Sequence, residues 1–396
     1  MLFSHLILTS ILPLYTLGLD LDTSDSSSIC DAASIIATGA LHYYDGSTYG
    51  GSVGCFKPPY YWWEYGVAFG SLIRFQHLCQ NTSYEDMIYT ALLSQAGDEH
   101  NYQPTNQSNT EGNDDQATWG LTVLEAAEYS FKDPKQNGNP YSWTELAENV
   151  FDAIYKRWDE DSCNGGLRWQ YNKDRGGYNY KATIANSNLF QMSARLARLT
   201  GDEKYVTAAK EIYNWIMGAG LAYEGEWGTE VYDGTYTDDN CTDVTKVLWT
   251  YNYGVLLGGT AYLYDVTKDE TWKDRTNKII LGSQTLYNNS VLYERACQTY
   301  NICNTDQRVF KAVYARYLAQ ASKLIPDFEE TITGLIKPSA EAAAKSCSGG
   351  SDGVTCGLSW NDDGWDGYYG LGEQLNALEI IQNLLINDRD GPKKHK

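Results

Sequence analysis

The stretch Thr200-Gly201-Asp202-Glu203-Lys204-Tyr205 ends one helix and begins another. Glycine adopts the left-handed conformation that closes a helix, and aspartate accepts from the free N–H groups of the next first turn. The tyrosine anchors the new helix. The phrase returns as Gln80-Asn81-Thr82-Ser83-Tyr84 and as Thr267-Lys268-Asp269-Glu270-Thr271-Trp272, with Ser83 and Asp269 in the capping role. Before each copy lies a run that is apolar all round, as in Tyr60 to Phe75. After each lies a run with one polar and one apolar face. A helix apolar on every side belongs inside a fold, and a two-faced helix belongs outside. Inner runs start near Tyr60, Asp115, Tyr180, Trp249, Asp306 and Gly367, about sixty residues apart. Outer runs start near Cys30, where Ser28 is a candidate cap, and near Tyr84, Trp143, Lys204, Glu270 and Phe328. This alternation predicts an all-α (α/α)6 barrel of six inner and six outer helices, a single domain over 19–396 with a short polar C-terminal tail.

The loops that enter the inner runs are long and hold much of the Gly, Trp, Asn and Asp. They cover 46–54, 102–113, 163–178, 223–243, 295–306 and 347–367. Long loops gathered on one face of a rigid scaffold mark the expected place of a cleft.

Bulk composition narrows the ligand. The chain has 396 residues and a net charge of -21, which argues against nucleic acid and anionic membrane surfaces. Its 32 Tyr and 12 Trp exceed what a core alone asks for. Such rings offer a flat apolar face and a polar edge, which suits sugars. Residues 1–18 combine a short apolar run with small residues near its end, the pattern of a signal peptide rather than a membrane span. Secretion to the extracellular space or cell wall is the expected location. Nine cysteines agree with an oxidising compartment. Cys297 with Cys303 and Cys347 with Cys356 are candidate local bridges, and Cys79 is the candidate free thiol. Sequons at Asn81, Asn106, Asn240 and Asn288 are expected to carry glycans. The polar C-terminus shows no lipid-anchor signal. No metal-ligand spacing and no cofactor motif are present, so none is expected.

One motif carries the chemistry: Glu111-Gly112-Asn113-Asp114-Asp115-Gln116-Ala117-Thr118-Trp119. Paired aspartates at a helix start read first as caps, with Asn113 or Asp114 in that role. In an aromatic-lined cleft without metal, the same pair reads as glycosidase carboxyls. One protonates the leaving oxygen, and the other attacks the anomeric carbon or activates water. Adjacent residues at a helix start place two carboxyls on the order of 5 Å apart, the separation of retaining enzymes. Mutual repulsion then raises one pKa, as a general acid requires. Candidate sugar contacts are Trp62, Trp63, Asn113, Gln116, Trp119, Asn188, Tyr251, Asn252 and Asp306. Glu64 and Glu111 are rival acids. The second pair, Asp362-Asp363, lies in a glycine-rich loop and reads as loop or subsite.

The motif resembles the Asp-Asp motif of glycoside hydrolase family 76, the mannan endo-1,6-α-mannosidases that include fungal cell-wall enzymes. The likeness extends through Tyr61-Trp62-Trp63-Glu64, Gly165-Gly166-Leu167-Arg168-Trp169, Asn186-Ser187-Asn188-Leu189-Phe190, Thr250-Tyr251-Asn252-Tyr253-Gly254 and Arg308-Val309-Phe310-Lys311. It implies an (α/α)6 barrel and retaining cleavage or transfer at α-1,6-linked mannose of cell-wall mannan or of glycoprotein and GPI glycans. It also implies Asp114 as nucleophile, Asp115 as acid/base and β-glucan as a candidate acceptor. Two rivals stand beside it: a non-catalytic mannan-binding wall protein on the same scaffold, and another (α/α)6 glycosidase specificity.

Overall fold

The structure, a computed structural model, describes residues 18–107 and 111–395. Apart from Gly18, the expected signal peptide lies outside the described residues. Among the described residues thirteen helices follow in order: α1 (Ser26–Leu41), α2 (Trp62–Cys79), α3 (Glu85–Ser94), α4 (Asn113–Glu128), α5 (Trp143–Tyr155), α6 (Thr183–Thr200), α7 (Glu203–Gly218), α8 (Thr250–Thr267), α9 (Glu270–Ser283), the short α10 (Arg295–Gln298), α11 (Phe310–Leu324), α12 (Glu329–Ser346) and α13 (Leu371–Gln382). The inner ring runs α2, α4, α6, α8, α11, α13 and closes with α13 against α2. The outer helices α3, α5, α7, α9 and α12 each pack on the inner helix before them, and α1 packs on α13 and α2. The predicted barrel is therefore present, helix for helix.

The repeated turn explains the tight return. At the ends of α2, α6 and α8, Gln80, Gly201 and Lys268 are left-handed, with φ of 53°, 73° and 54°. Asp202 and Asp269 then cap α7 and α9, accepting from Lys204 N and Thr271 N at 2.9 Å. Ser83 does not cap α3, whose N-cap is Tyr84. Asp25, rather than Ser28, caps α1. Tyr205 and Trp272 are buried anchors, as the phrase predicts.

Long loops enter the inner helices and gather at one end of the barrel. They hold seven short strands: β1 (Tyr180–Ala182), β2 (Ala222–Gly225), β3 (Gly228–Val231), β4 (Gly234–Tyr236), β5 (Val244–Thr245), β6 (Tyr287–Asn288) and β7 (Val291–Leu292). β1, β4 and β5 form an antiparallel sheet, and β2–β3 and β6–β7 are hairpins. Exposed aromatics such as Trp227, Tyr300 and Tyr369 sit in these loops.

The other end is filled. Arg74, Arg195 and Arg316 meet Glu125, Glu128 and Glu379, all six at most 3% exposed. Arg195 Nη2 lies 2.9 Å from Glu128 and 3.2 Å from Glu125, and Arg316 Nη2 lies 2.6 Å from Glu379. The polar tail crosses this end rather than hanging free. Lys393 N donates to Glu128 O at 2.9 Å, His395 N to Arg198 O at 2.8 Å, and Arg389 Nε to Leu78 O at 2.6 Å. These donors satisfy helix-end carbonyls that lack an intrahelical partner.

Four disulfides form: Cys30–Cys79, Cys163–Cys241, Cys297–Cys303 and Cys347–Cys356. The two local bridges match expectation. The free thiol does not: Cys79 bonds Cys30, because α1 packs beside the end of α2. Cys55, buried in the loop before α2, is unpaired. Asn106, Asn240 and Asn288 are exposed and Asn81 half-buried. No helix among the described residues is long and apolar enough to cross a membrane.

Candidate active site

Gly112, not Asn113 or Asp114, is the N-cap of α4. A Cβ at Gly112 would stand 2.5 Å from Asp114 Oδ1 and 2.9 Å from Trp169 O, so only glycine lets the helix start meet the 165–170 loop. That contact is pinned by Asn113, whose N donates to Trp169 O at 2.9 Å and whose Nδ2 donates to Arg168 O at 2.8 Å. The loop is stiff in turn. Buried Lys181 donates to the carbonyls of Asp159, Ser162 and Gly165, and Asn186 brackets Leu167.

Asp114 and Asp115 then face a cavity of about 530 Å3 at the mouth of the inner ring. Asp114 Oδ2 accepts from Trp169 Nε1 at 2.8 Å, while its Oδ1 is buried without a partner among the described residues. Asp115 Oδ2 accepts from Gly112 N at 2.6 Å. Asp115 thus closes the first turn of α4 and also lines the cavity. Burial raises the Asp114 pKa to about 6, with Trp169 pulling it back down. Burial, then the charge of Asp114, pushes Asp115 well above the usual carboxylate range. Both carboxyls are raised, Asp115 further than Asp114, so Asp114 is the one of the pair that more readily gives up its proton.

Other expected contacts divide into two groups. Trp62, Trp63, Asn188, Tyr251 and Asp306 line the cavity. Trp63 Nε1 donates to Asp306 Oδ1 at 2.8 Å, and burial raises the Asp306 pKa. Tyr251 stacks on Phe310 with ring centres 3.8 Å apart. Asn188 Nδ2 reaches Asp114 O at 3.3 Å. Asn113, Gln116, Trp119 and Asn252 are outside the lining. Trp119 is buried behind Trp62, stacked at 5.1 Å, and donates to Trp62 O. Gln116 bonds Asn101 O and Arg157. Asn252 is buried with neither amide atom bonded.

Glu64 is also outside the lining; it accepts from Tyr61 N at 3.1 Å and closes the first turn of α2. Glu111 does line the cavity. Asp362 and Asp363 are exposed in the loop before α13. Sequence reasoning missed Trp169, Tyr180, Asp233 and Trp249, all cavity residues. Tyr180 OH donates to Asp233 Oδ2 at 2.6 Å across β1 and the loop before β4. Arg316 is the one cation among the described lining residues, held against Glu379. The described residues contain no cluster of metal-binding side chains.

The sequence model of glycosyl hydrolase family 76 matches residues 28–396. The mannan endo-1,6-alpha-mannosidase DFG5 of Saccharomyces cerevisiae is 49% identical over 96% of this chain and 82% of its own. The mannan endo-1,6-alpha-mannosidase DCW1 of Candida albicans is 47% identical over 99% of this chain and 87% of its own. The crystal structure of Dfg5 from Chaetomium thermophilum in complex with glucosamine superposes with a TM-score of 0.89 at 33% identity, covering 94% of both chains.

Proposed function

We propose, from the premise that the chain belongs to glycosyl hydrolase family 76 and is a glycoside hydrolase, that it acts on α-1,6-linked mannose with retention of configuration. The observation that carries this reading is one cavity holding two adjacent carboxyls whose surroundings drive their proton affinities apart. Ionised Asp114 attacks the anomeric carbon while Asp115 gives its proton to the departing glycosidic oxygen. Asp115, now a base, takes a proton from water or from a sugar hydroxyl, and that oxygen displaces Asp114. Water gives hydrolysis; a sugar hydroxyl, such as that of a β-glucan, gives transfer.

Trp62, Trp63 and Tyr251 supply ring faces for the sugars, and Asn188 and Asp306 supply hydrogen-bond partners. Five carboxyl groups against one guanidinium in the cavity favour a neutral or amino sugar beside the mannose. The Chaetomium relative, solved with glucosamine, supports that choice. An extracellular or cell-wall location accords with four disulfides.

The test is proton NMR of wild type and Asp114→Asn on an α-1,6-mannan oligosaccharide, with and without a glucan acceptor. New α-anomeric reducing ends from wild type alone support retaining hydrolysis. Larger hybrid products support transfer. A β-anomeric first product refutes retention, and binding without turnover by either protein points to the non-catalytic rival.

A further inference from the structure

One carboxyl in the cavity has no part in the two-step scheme. Glu111 lies directly before Gly112, is 2% exposed and lines the cavity. Its Oε2 is 3.4 Å from Tyr171 OH, and its Oε1 is buried with no hydrogen-bond partner among the described residues. Three groups face it. The Tyr171 hydroxyl is the first. The Arg157 guanidinium is the second, but it stacks on the Tyr171 ring at 4.6 Å and bonds Gln116, and among the described residues it makes no ion pair with Glu111. Asp115 is the third: its Oδ2 accepts from the N–H of Gly112, the residue next to Glu111, at 2.6 Å, and Glu111 adds to the upward push on its pKa, as Asp306 does on both aspartates. Glu111 thus stands on the Asp115 side of the pair. An unpaired carboxyl oxygen walled into a cavity costs free energy unless a ligand completes it.

We propose that Glu111 is a substrate-binding residue that holds a hydroxyl of the sugar on the leaving-group side, and hence of the acceptor sugar in transfer. This rests on the assignment of Asp115 as the acid/base. Burial raises the Glu111 pKa to about 8, so near pH 7 the group is a neutral acid. It offers one O–H donor and one carbonyl acceptor, the set that a pyranose hydroxyl pair takes up. Tyr171 positions it through the Oε2 contact, which leaves Oε1 for the sugar.

Glutamine keeps one donor and one acceptor in the same shape, and alanine keeps neither. The experiment is steady-state kinetics of Glu111→Gln, Glu111→Ala and Asp115→Asn on an α-1,6-mannan oligosaccharide at pH 6.5, with circular dichroism as a check on folding. Transfer is followed against a mannose-oligosaccharide acceptor. The expected result is KM and kcat within about threefold of wild type for Glu111→Gln. For Glu111→Ala, KM for donor and acceptor rises about tenfold with kcat little changed, the pattern of a contact made equally in ground and transition states. Wild-type constants in a folded Glu111→Ala variant would overturn the proposal and leave the Asp115 assignment intact. Loss of turnover in Glu111→Gln, with activity retained in Asp115→Asn, would overturn both by making Glu111 the proton donor.

Discussion

Trp169→Phe isolates the side-chain hydrogen bond to Asp114, the proposed nucleophile. Trp169 Nε1 is the one side-chain donor to the Asp114 carboxyl among the described residues, at 2.8 Å, and after burial it is the largest influence on the Asp114 pKa, ahead of the backbone N–H groups of Asp114 and Asp115. A hydrogen bond to a charged group is worth about 1.5–3 kcal/mol. Trp169 is 37% exposed, so water partly replaces the lost donor, and about 1.4 kcal/mol is the appropriate share, which is about one pH unit. Phenylalanine keeps a ring in the cavity wall. The donor favours the ionised form, so its loss raises the Asp114 pKa from about 6 and shrinks the fraction of active anion at a given pH. The acid limb of kcat/KM, which reports the free enzyme, should move up by about one pH unit. Activity then falls about fivefold at pH 6 and stays near wild type at pH 8. The assay is initial rate against pH from 4.5 to 8.5 on a mannan oligosaccharide. An acid limb that stays in place, or the same fractional loss at every pH, would refute the reasoning. The first outcome would mean that Trp169 does not govern the ionisation, and the second that it acts only on geometry.

Gly112→Ala should lower kcat on the order of 100-fold and cost about 1–3 kcal/mol of stability in urea unfolding, since the new Cβ meets Asp114 Oδ1 and the Trp169 carbonyl and shifts the pair by a fraction of an ångström. Unchanged kcat would show that this close approach is not needed. Arg195→Leu leaves Glu128 and Glu125 short of a buried cation and should cost about 3–5 kcal/mol in urea unfolding. A loss under about 1 kcal/mol would mean that the two glutamates adapt by holding a proton.

The helical plan was legible because it is written locally. Left-handed turn residues, caps and all-round apolar runs each report on a few neighbouring residues, and the inner-outer order follows from them. The Asp pair was legible for the same reason: adjacency in sequence forces adjacency in space. What failed depended on which surfaces meet. Cys79 looked free because its partner Cys30 lies on the first helix, 49 residues away. Trp119 and Asn252 lie on inner helices, and a helix of the inner ring has sides that face other helices as well as one that faces the mouth. Trp169, Asp233 and Tyr180 come from loops whose paths are set by a buried lysine, a disulfide and a three-stranded sheet. No residue spacing encodes those paths.

The filled far end of the ring decides how a polymer meets this protein. Among the described residues, six paired charges and the crossing tail fill the end behind Arg316, so the barrel is a cup and not a tunnel. A long mannan cannot be threaded and processed along its length. On the proposed reading it drapes over the rim with one linkage dipped toward Asp114, and both fragments depart through the entrance. Each cut is then a separate visit, and the spread of fragment sizes should be broad from the first moments of reaction.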